Sequence, residues 1–219
     1  TLQLPRAVVI TGWLPRHAYK VFKKSLDKDF PCAAIEIEKN PKGTPPVALR
    51  NSKNMEPFEA VTNIYGKPKY SELDPTGPLS IFFLVAFGLA LTDAGYGLVM
   101  MVIMGLAVKY FRLKKEMKKM IRLLYYAGAS TVVLGALTGG WFGITLENLP
   151  DNQIKSALLA LKVIDPISEP MTLLMVTFGV GIIQLLFAWV VRGYDHARNK
   201  DYVSMIFDDI AWFVMVVLL

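Results

Sequence analysis

Between Leu79 and Val108 the chain runs 30 residues with only two ionisable side chains, the Asp93 carboxylate and the Tyr96 phenol. A polar, proline-rich stretch ends at Pro78, immediately before it. Apolar runs of about 18 residues or more read as membrane-spanning helices. As one helix this run would be about 45 Å long, against about 30 Å of hydrocarbon. That is long for one upright span and short for two. Within it lies Thr92-Asp93-Ala94-Gly95-Tyr96-Gly97, where two glycines can break a helix. A carboxylate at membrane depth is costly, and by default it marks a functional site.

Three further apolar runs follow, Leu123–Ile144, Met171–Val191 and Ile210–Leu219. The charges between them are segregated. Lys109 to Arg122 carries seven basic residues against the single acid Glu116. Arg192 to Lys200 carries three against Asp195. Residues 145–170 are the reverse, with Glu147, Asp151, Asp165 and Glu169 against Lys155 and Lys162. The positive-inside rule then puts 109–122 and 192–200 in the cytoplasm and 145–170 outside. The N-terminal part is basic and shows no export signal, so it is also expected in the cytoplasm. An even number of crossings must then separate 78 from 108. A broken pair of short helices, about 79–91 and 95–108, meets that condition by turning near Asp93; one long tilted helix is the alternative, and it would put the N-terminal part outside. Single spans follow at 123–144 and 171–191, and a last one starts at 210–219.

The N-terminal part reads differently. Ala7 to Leu14 is rich in β-branched residues and ends at Pro15, which suggests a strand. From Arg16 to Asp29, Ala18, Tyr19, Phe22 and Leu26 recur at helical spacing. Ala33 to Ile37 reads as a second strand, with Cys32 as a buried structural thiol; with one cysteine in the chain, no internal disulfide is possible. Residues 1–40 are therefore expected to be the C-terminal piece of a cytoplasmic α/β lobe. Residues 41–77 are expected to be a proline-rich linker on the membrane surface, with Phe58, Ile64, Tyr65 and Tyr70 as interfacial anchors. The fold class is mainly α: a polytopic helical membrane domain preceded by a partial cytoplasmic α/β lobe. The chain begins at Thr1 inside one element and ends at Leu219 inside an apolar run, so a fragment cut at both ends is expected.

Enzyme signatures are missing. There is no phosphate-binding lysine loop, no dinucleotide fingerprint and no metal-ligand spacing, so neither a cofactor nor a metal is expected. The net charge of +6 gathers beside apolar runs rather than on a recognition helix, so nucleic acid is not an expected partner. The candidate polar residues lie in or beside the apolar runs: Asp93, Tyr96, Gln184, Arg192, Asp195 and His196. Asp93 reads either as an ion relay or as the N-cap of the second short helix. Tyr96 either lends its hydroxyl to that site or fills space between glycines. Gln184 bonds a neighbouring helix or a channel water. Arg192, Asp195 and His196 form either an ion entrance or a solvated loop, histidine being the side chain type that titrates near neutral pH. Asp208 and Asp209 read as caps of the last apolar run, and His17 as a surface residue. Gly135, Gly139 and Gly143 are spaced for close helix packing.

Several motifs occur in fixed order: Gly12-Trp13-Leu14-Pro15, Pro57-Phe58-Glu59, Tyr65 to Thr76 (YGKPKYSELDPT), Asp93-Ala94-Gly95-Tyr96-Gly97 and Thr138-Gly139-Gly140-Trp141-Phe142-Gly143. Together they resemble the membrane stator subunit of V-type and A-type rotary ATPases, subunit I in prokaryotes and subunit a in eukaryotes. The resemblance implies a non-catalytic subunit with a cytoplasmic α/β region and eight membrane helices. It implies transport of H⁺ or Na⁺ against a ring of proteolipid subunits. Further implied partners are the peripheral stalks, the central-stalk ATPase sector and the bilayer of a prokaryotic plasma membrane. The family's essential arginine, on its seventh helix, matches no residue here. Two other classes stand beside this one: a self-contained secondary transporter, which needs paired broken helices, and a membrane-anchored structural protein.

Overall fold

In a computed structural model of the chain, residues 2–4, 7–37, 45–69, 71–144, 146 and 150–218 are described. The fold is mainly helical and divides into two units, Thr1–Ala48 and Leu49–Leu219.

In the first unit, β1 (Leu2–Leu4) pairs antiparallel with β2 (Ala7–Val9), in register from Leu2 against Val9 to Leu4 against Ala7. The expected strand to Leu14 is thus cut to three residues, because its partner is only that long. Helix α1 (Tyr19–Asp29) forms where the apolar spacing puts it and stops before Pro31. His17 is exposed. Residues 33–37 join no strand, and Cys32 is exposed. Both expectations there are corrected. Alternating Ala and Ile supply β propensity, but a strand needs a neighbour to bond with, and none lies beside this segment among the described residues.

The second unit is built on α5 (Lys115–Thr138), flanked by α3 (Thr76–Leu91) and α4 (Ala94–Tyr110). Near the start of α3, Leu79 and Phe83 pack with Leu123 and Tyr126 of α5. Near its end, Ser130 Oγ donates to Leu84 O at 2.7 Å, and Gly88 faces Ser130 and Leu134. So α3 runs parallel to α5. Helix α4 runs the other way: Ala94 meets Gly135, Gly97 meets Gly128, and Gly105 meets Tyr125. The chain reverses at Thr92–Asp93, where Thr92 adopts a left-handed φ of 49°. The α4–α5 contact is lined by small, fully buried residues, Ala94, Ala127 and Thr131. They let the backbones approach closely, as lipid-embedded helices require when burial in water cannot drive their association.

Part of the proline-rich segment is folded rather than a surface strap. A 3₁₀ turn over Glu56–Phe58 leads into α2 (Glu59–Tyr65). Phe58, Val61 and Thr62, at helical spacing, are buried. Phe58 stacks on Tyr126 with centroids 6.0 Å apart and meets Phe83 edge-on at 6.3 Å. It is a core residue, not an interfacial anchor. Ile64 and Tyr65 are exposed, and Tyr70 lies outside the described residues. Buried Glu59 accepts from Lys119 Nζ at 2.7 Å and from Asn51 Nδ2 at 3.1 Å. Asn51 Nδ2 also reaches Asp74 at 2.8 Å, so the segment before α3 is tied to α5.

Helix α6 (Gln153–Leu161) follows, then α7 (Pro170–Arg198), which touches α3 through Phe82 and Phe187. Helix α8 (Tyr202–Ser204), a π-helical stretch (Met205–Ile210) and α9 (Ala211–Val217) continue without leaving helical dihedrals. Among the described residues, two helices, Lys115–Thr138 and Pro170–Arg198, are long and apolar enough to cross a membrane; α3 and α4 are shorter apolar helices.

Candidate functional site

Asp93 sits in the break between α3 and α4 with extended φ and ψ of −135° and 108°, and its side chain is buried. Oδ1 accepts the Tyr96 N–H at 3.0 Å, which caps α4. The same oxygen accepts the Phe142 N–H at 3.0 Å, and Oδ2 accepts that of Gly143 at 2.8 Å. The carboxylate therefore holds two segments about 50 residues apart. Such charge-assisted bonds contribute roughly 1.5–3 kcal/mol each.

The partner loop is shaped for this. Gly139, with φ 74°, ends α5 in the left-handed conformation that glycine adopts without strain. Gly140 O then accepts the Ala94 N–H at 2.8 Å, and Thr138 Oγ1 donates to Thr92 O at 3.2 Å. A β-carbon on Gly135 would strike Asp93 and Ala94, and one on Gly140 would strike the Thr92 carbonyl. Gly135 thus lies directly against the backbone of the α3–α4 turn. Gly139 and Gly143 are corrected: α5 ends at Thr138, and both lie beyond it at positive φ as turn residues. The Tyr96 ring is exposed and packs edge-on against Phe142 at 5.6 Å.

Asp93 lies level with Gly135 and Gly140, at the end of α5 opposite the basic residues from Lys115 to Arg122. It marks an end of the helix bundle, not its middle.

A second cluster joins α7 to the helix that follows. Helix α7 continues to Arg198, so Arg192, Asp195 and His196 are helical rather than a loop after the helix. At positions i, i+3 and i+4 they share one face. His196 Nδ1 is 2.7 Å from Asp209 Oδ2, and Arg192 Nε is 3.2 Å from Asp209 Oδ1, without hydrogen-bond alignment. Asp209 is only 2% exposed. It sits in the π-helical stretch and not at a cap; Asp208 is exposed. Asp195 is buried, and its Oδ1 has no hydrogen-bond partner. The sequence offers Asp209 only as a cap of the last apolar run; its place 13 residues past His196, across a short turn, was a usable signal for this contact. Gln184 is apart from both clusters, exposed on α7 beside Thr177, Gly181 and Leu185.

Outside the apolar helices, four carboxylates lie below the ordinary value, among them Asp151, which the Lys155 ammonium holds down. Burial pushes Asp74 up, but hydrogen bonds from Thr76 and Asn51 outweigh it and leave its carboxyl below the ordinary value. The Lys162 ammonium, with Ser168 and the Ile167 N–H, holds Asp165 far below it. Ser204 lowers Asp201, which caps α8. Among the described residues, no group of three or more His, Cys, Asp or Glu is placed to hold a metal ion.

The model of the V-type ATPase 116 kDa subunit family matches residues 3–145, which include both halves of the Asp93 lock. Among curated relatives, the A-type ATP synthase subunit I of Archaeoglobus fulgidus is 30% identical over 99% of this chain and 33% of its own length. That of Pyrococcus horikoshii is 29% identical over 78% of this chain and 25% of its own. The V-type ATP synthase subunit I of Borreliella burgdorferi is 27% identical over 95% and 34%. The chain spans a quarter to a third of the length of these relatives. The chain belongs to the V-type ATPase 116 kDa subunit family.

Proposed function

We propose that this chain forms part of the membrane stator of a rotary ATPase or ATP synthase that moves H⁺ or Na⁺. The observation that carries the reading is the family match over 3–145, a span containing the residues that lock α3, α4 and α5 together. Helices α3 and α4 form a membrane hairpin, and α5, α7 and the last helix cross singly. The basic ends at 109–122 and 192–200 face the cytoplasm with the N-terminal unit. Asp93 then lies at the non-cytoplasmic end, sharing it with the acidic segment 145–170.

In this reading Asp93 is a staple. Its oxygens are occupied by three backbone N–H groups, which suits a fixed anion better than a proton relay. The cluster of Arg192, Asp195, His196 and Asp209 lies toward the cytoplasm. It is the better candidate for an ion path, because it combines two buried carboxylates with a histidine. Nucleotide hydrolysis, the proteolipid ring and the stalks are assigned to partner subunits.

The test is affinity isolation of the tagged chain from mildly solubilised membranes of its source. The expected result is co-purification with a ring-forming proteolipid and an ATP-hydrolysing sector. Recovery from membranes with neither contradicts the reading.

A further inference from the structure

We infer that the cleft at the start of α5 binds the headgroup of an anionic phospholipid. The cleft encloses about 230 Å³ and is lined by Glu56, Lys115, Lys118, Lys119 and Arg122. The four cations fall at i, i+3, i+4 and i+7, one face of the helix. Their charges are unequally balanced. Lys119 Nζ is 2.7 Å from Glu59 and 3.7 Å from Glu56. Lys115 is 3.9 Å from Glu56. Among the described residues, Lys118 and Arg122 have no acidic partner. Two uncompensated cations therefore share a concave surface with a third that is weakly paired.

The helix end adds to this field. The first turn of α5 carries the positive end of the helix dipole; Glu116 in that turn offsets part of it, and the N-cap Lys114 supplies no side-chain acceptor. Cations stacked there repel both the dipole and one another, and a bound phosphate offsets that repulsion. The apolar surroundings select a lipid over free phosphate. Tyr110, which ends α4, and Phe111, in the turn leading into α5, are 69% and 68% exposed, and Met117 is 54% exposed. Aromatic rings favour the headgroup level, and basic clusters beside a membrane helix attract anionic lipid at about 1 kcal/mol per Lys or Arg. The inference rests on the membrane placement of α4 and α5, not on the rotary assembly.

The test uses the full chain in neutral detergent, titrated with short-chain phosphatidylglycerol, short-chain phosphatidylcholine and inorganic phosphate. Phosphatidylglycerol is expected to bind, and the Lys118→Gln/Arg122→Gln variant to bind it at least about tenfold more weakly. Equal binding of phosphatidylcholine overturns the proposal. So does wild-type affinity in the double variant, or full displacement by millimolar phosphate. Should that variant melt early, the salt dependence of the wild type decides, because phosphatidylglycerol binding that ignores ionic strength is not led by these charges. A chain that stays soluble without detergent removes the membrane placement and the site with it.

Discussion

Gly143 donates its backbone N–H to Asp93 Oδ2 at 2.8 Å across 50 residues of sequence. One carboxylate in a helix break thereby fixes the turn that ends the neighbouring helix. Asp93→Asn keeps one acceptor oxygen but turns an amide donor toward one of the N–H groups. It is expected to cost about 1–3 kcal/mol, and Asp93→Ala more, because three donors lose their acceptor. Thermal melts in detergent measure both. An Asp93→Asn protein that melts like wild type would show that the bonds to Phe142 and Gly143 contribute little.

Gly135→Ala places a methyl group against the Asp93–Ala94 backbone. Overpacking there is expected to cost about 1–3 kcal/mol. Gly143→Ala meets no atom and costs only its left-handed φ, about 1 kcal/mol. The order of the two melts, Gly135→Ala below Gly143→Ala, checks the assignment of packing to one and turn geometry to the other.

Lys119 and Glu59 are a buried pair with side chains 12% and 8% exposed. Removing one partner strands the other, so Lys119→Met or Glu59→Gln is expected to cost about 3–5 kcal/mol. The double variant should cost less than the sum of the singles. Chemical unfolding of the four proteins gives the coupling, and additive effects would mean that the pair does not act as a unit.

The loop before α7 should be acid-sensitive. Its Lys162 partner holds the Asp165 carboxyl below the ordinary value of 3.8. A carboxyl lowered in the folded state stabilises at pH above its unfolded value. That contribution fades below pH 3.8 and is lost as pH falls through the lower folded value. The Ile167 amide, which donates to Asp165 at 3.0 Å, reports it by NMR. Its resonance should hold steady through pH 4 and move only in stronger acid, and Asp165→Asn should abolish the movement. A titration of that amide centred at or above pH 3.8 would contradict the pairing.

The break at Asp93 was legible because one carboxylate, followed closely by Gly95 and Gly97, interrupts a 30-residue run that holds no other charged side chain. What Asp93 bonds to was not, since Phe142 and Gly143 approach only after α4 and α5 pack together. The helix at Phe58 was hidden by prolines, which read as a linker although Phe58, Val61 and Thr62 keep helical spacing. The end of α7 was placed at Val191 because hydropathy falls there, yet polar residues continue the helix to Arg198. Asp209 read as a cap because its partners, His196 and Arg192, arrive through a turn and a π-helical stretch, which periodicity does not reveal. Cys32 read as buried because its surroundings favour a strand, and no pairing strand covers it among the described residues.

Sided labelling tests the hairpin most directly. In a Cys32→Ser background, single cysteines at Leu91, Lys114 and Asp151 are treated with a membrane-impermeant maleimide in right-side-out and inverted vesicles. Leu91 and Asp151 are expected to react from the same face and Lys114 from the opposite one. Labelling of Leu91 from the same face as Lys114 would contradict the hairpin, because α3 and α4 would then not span the bilayer as a pair with Asp93 at the outer turn.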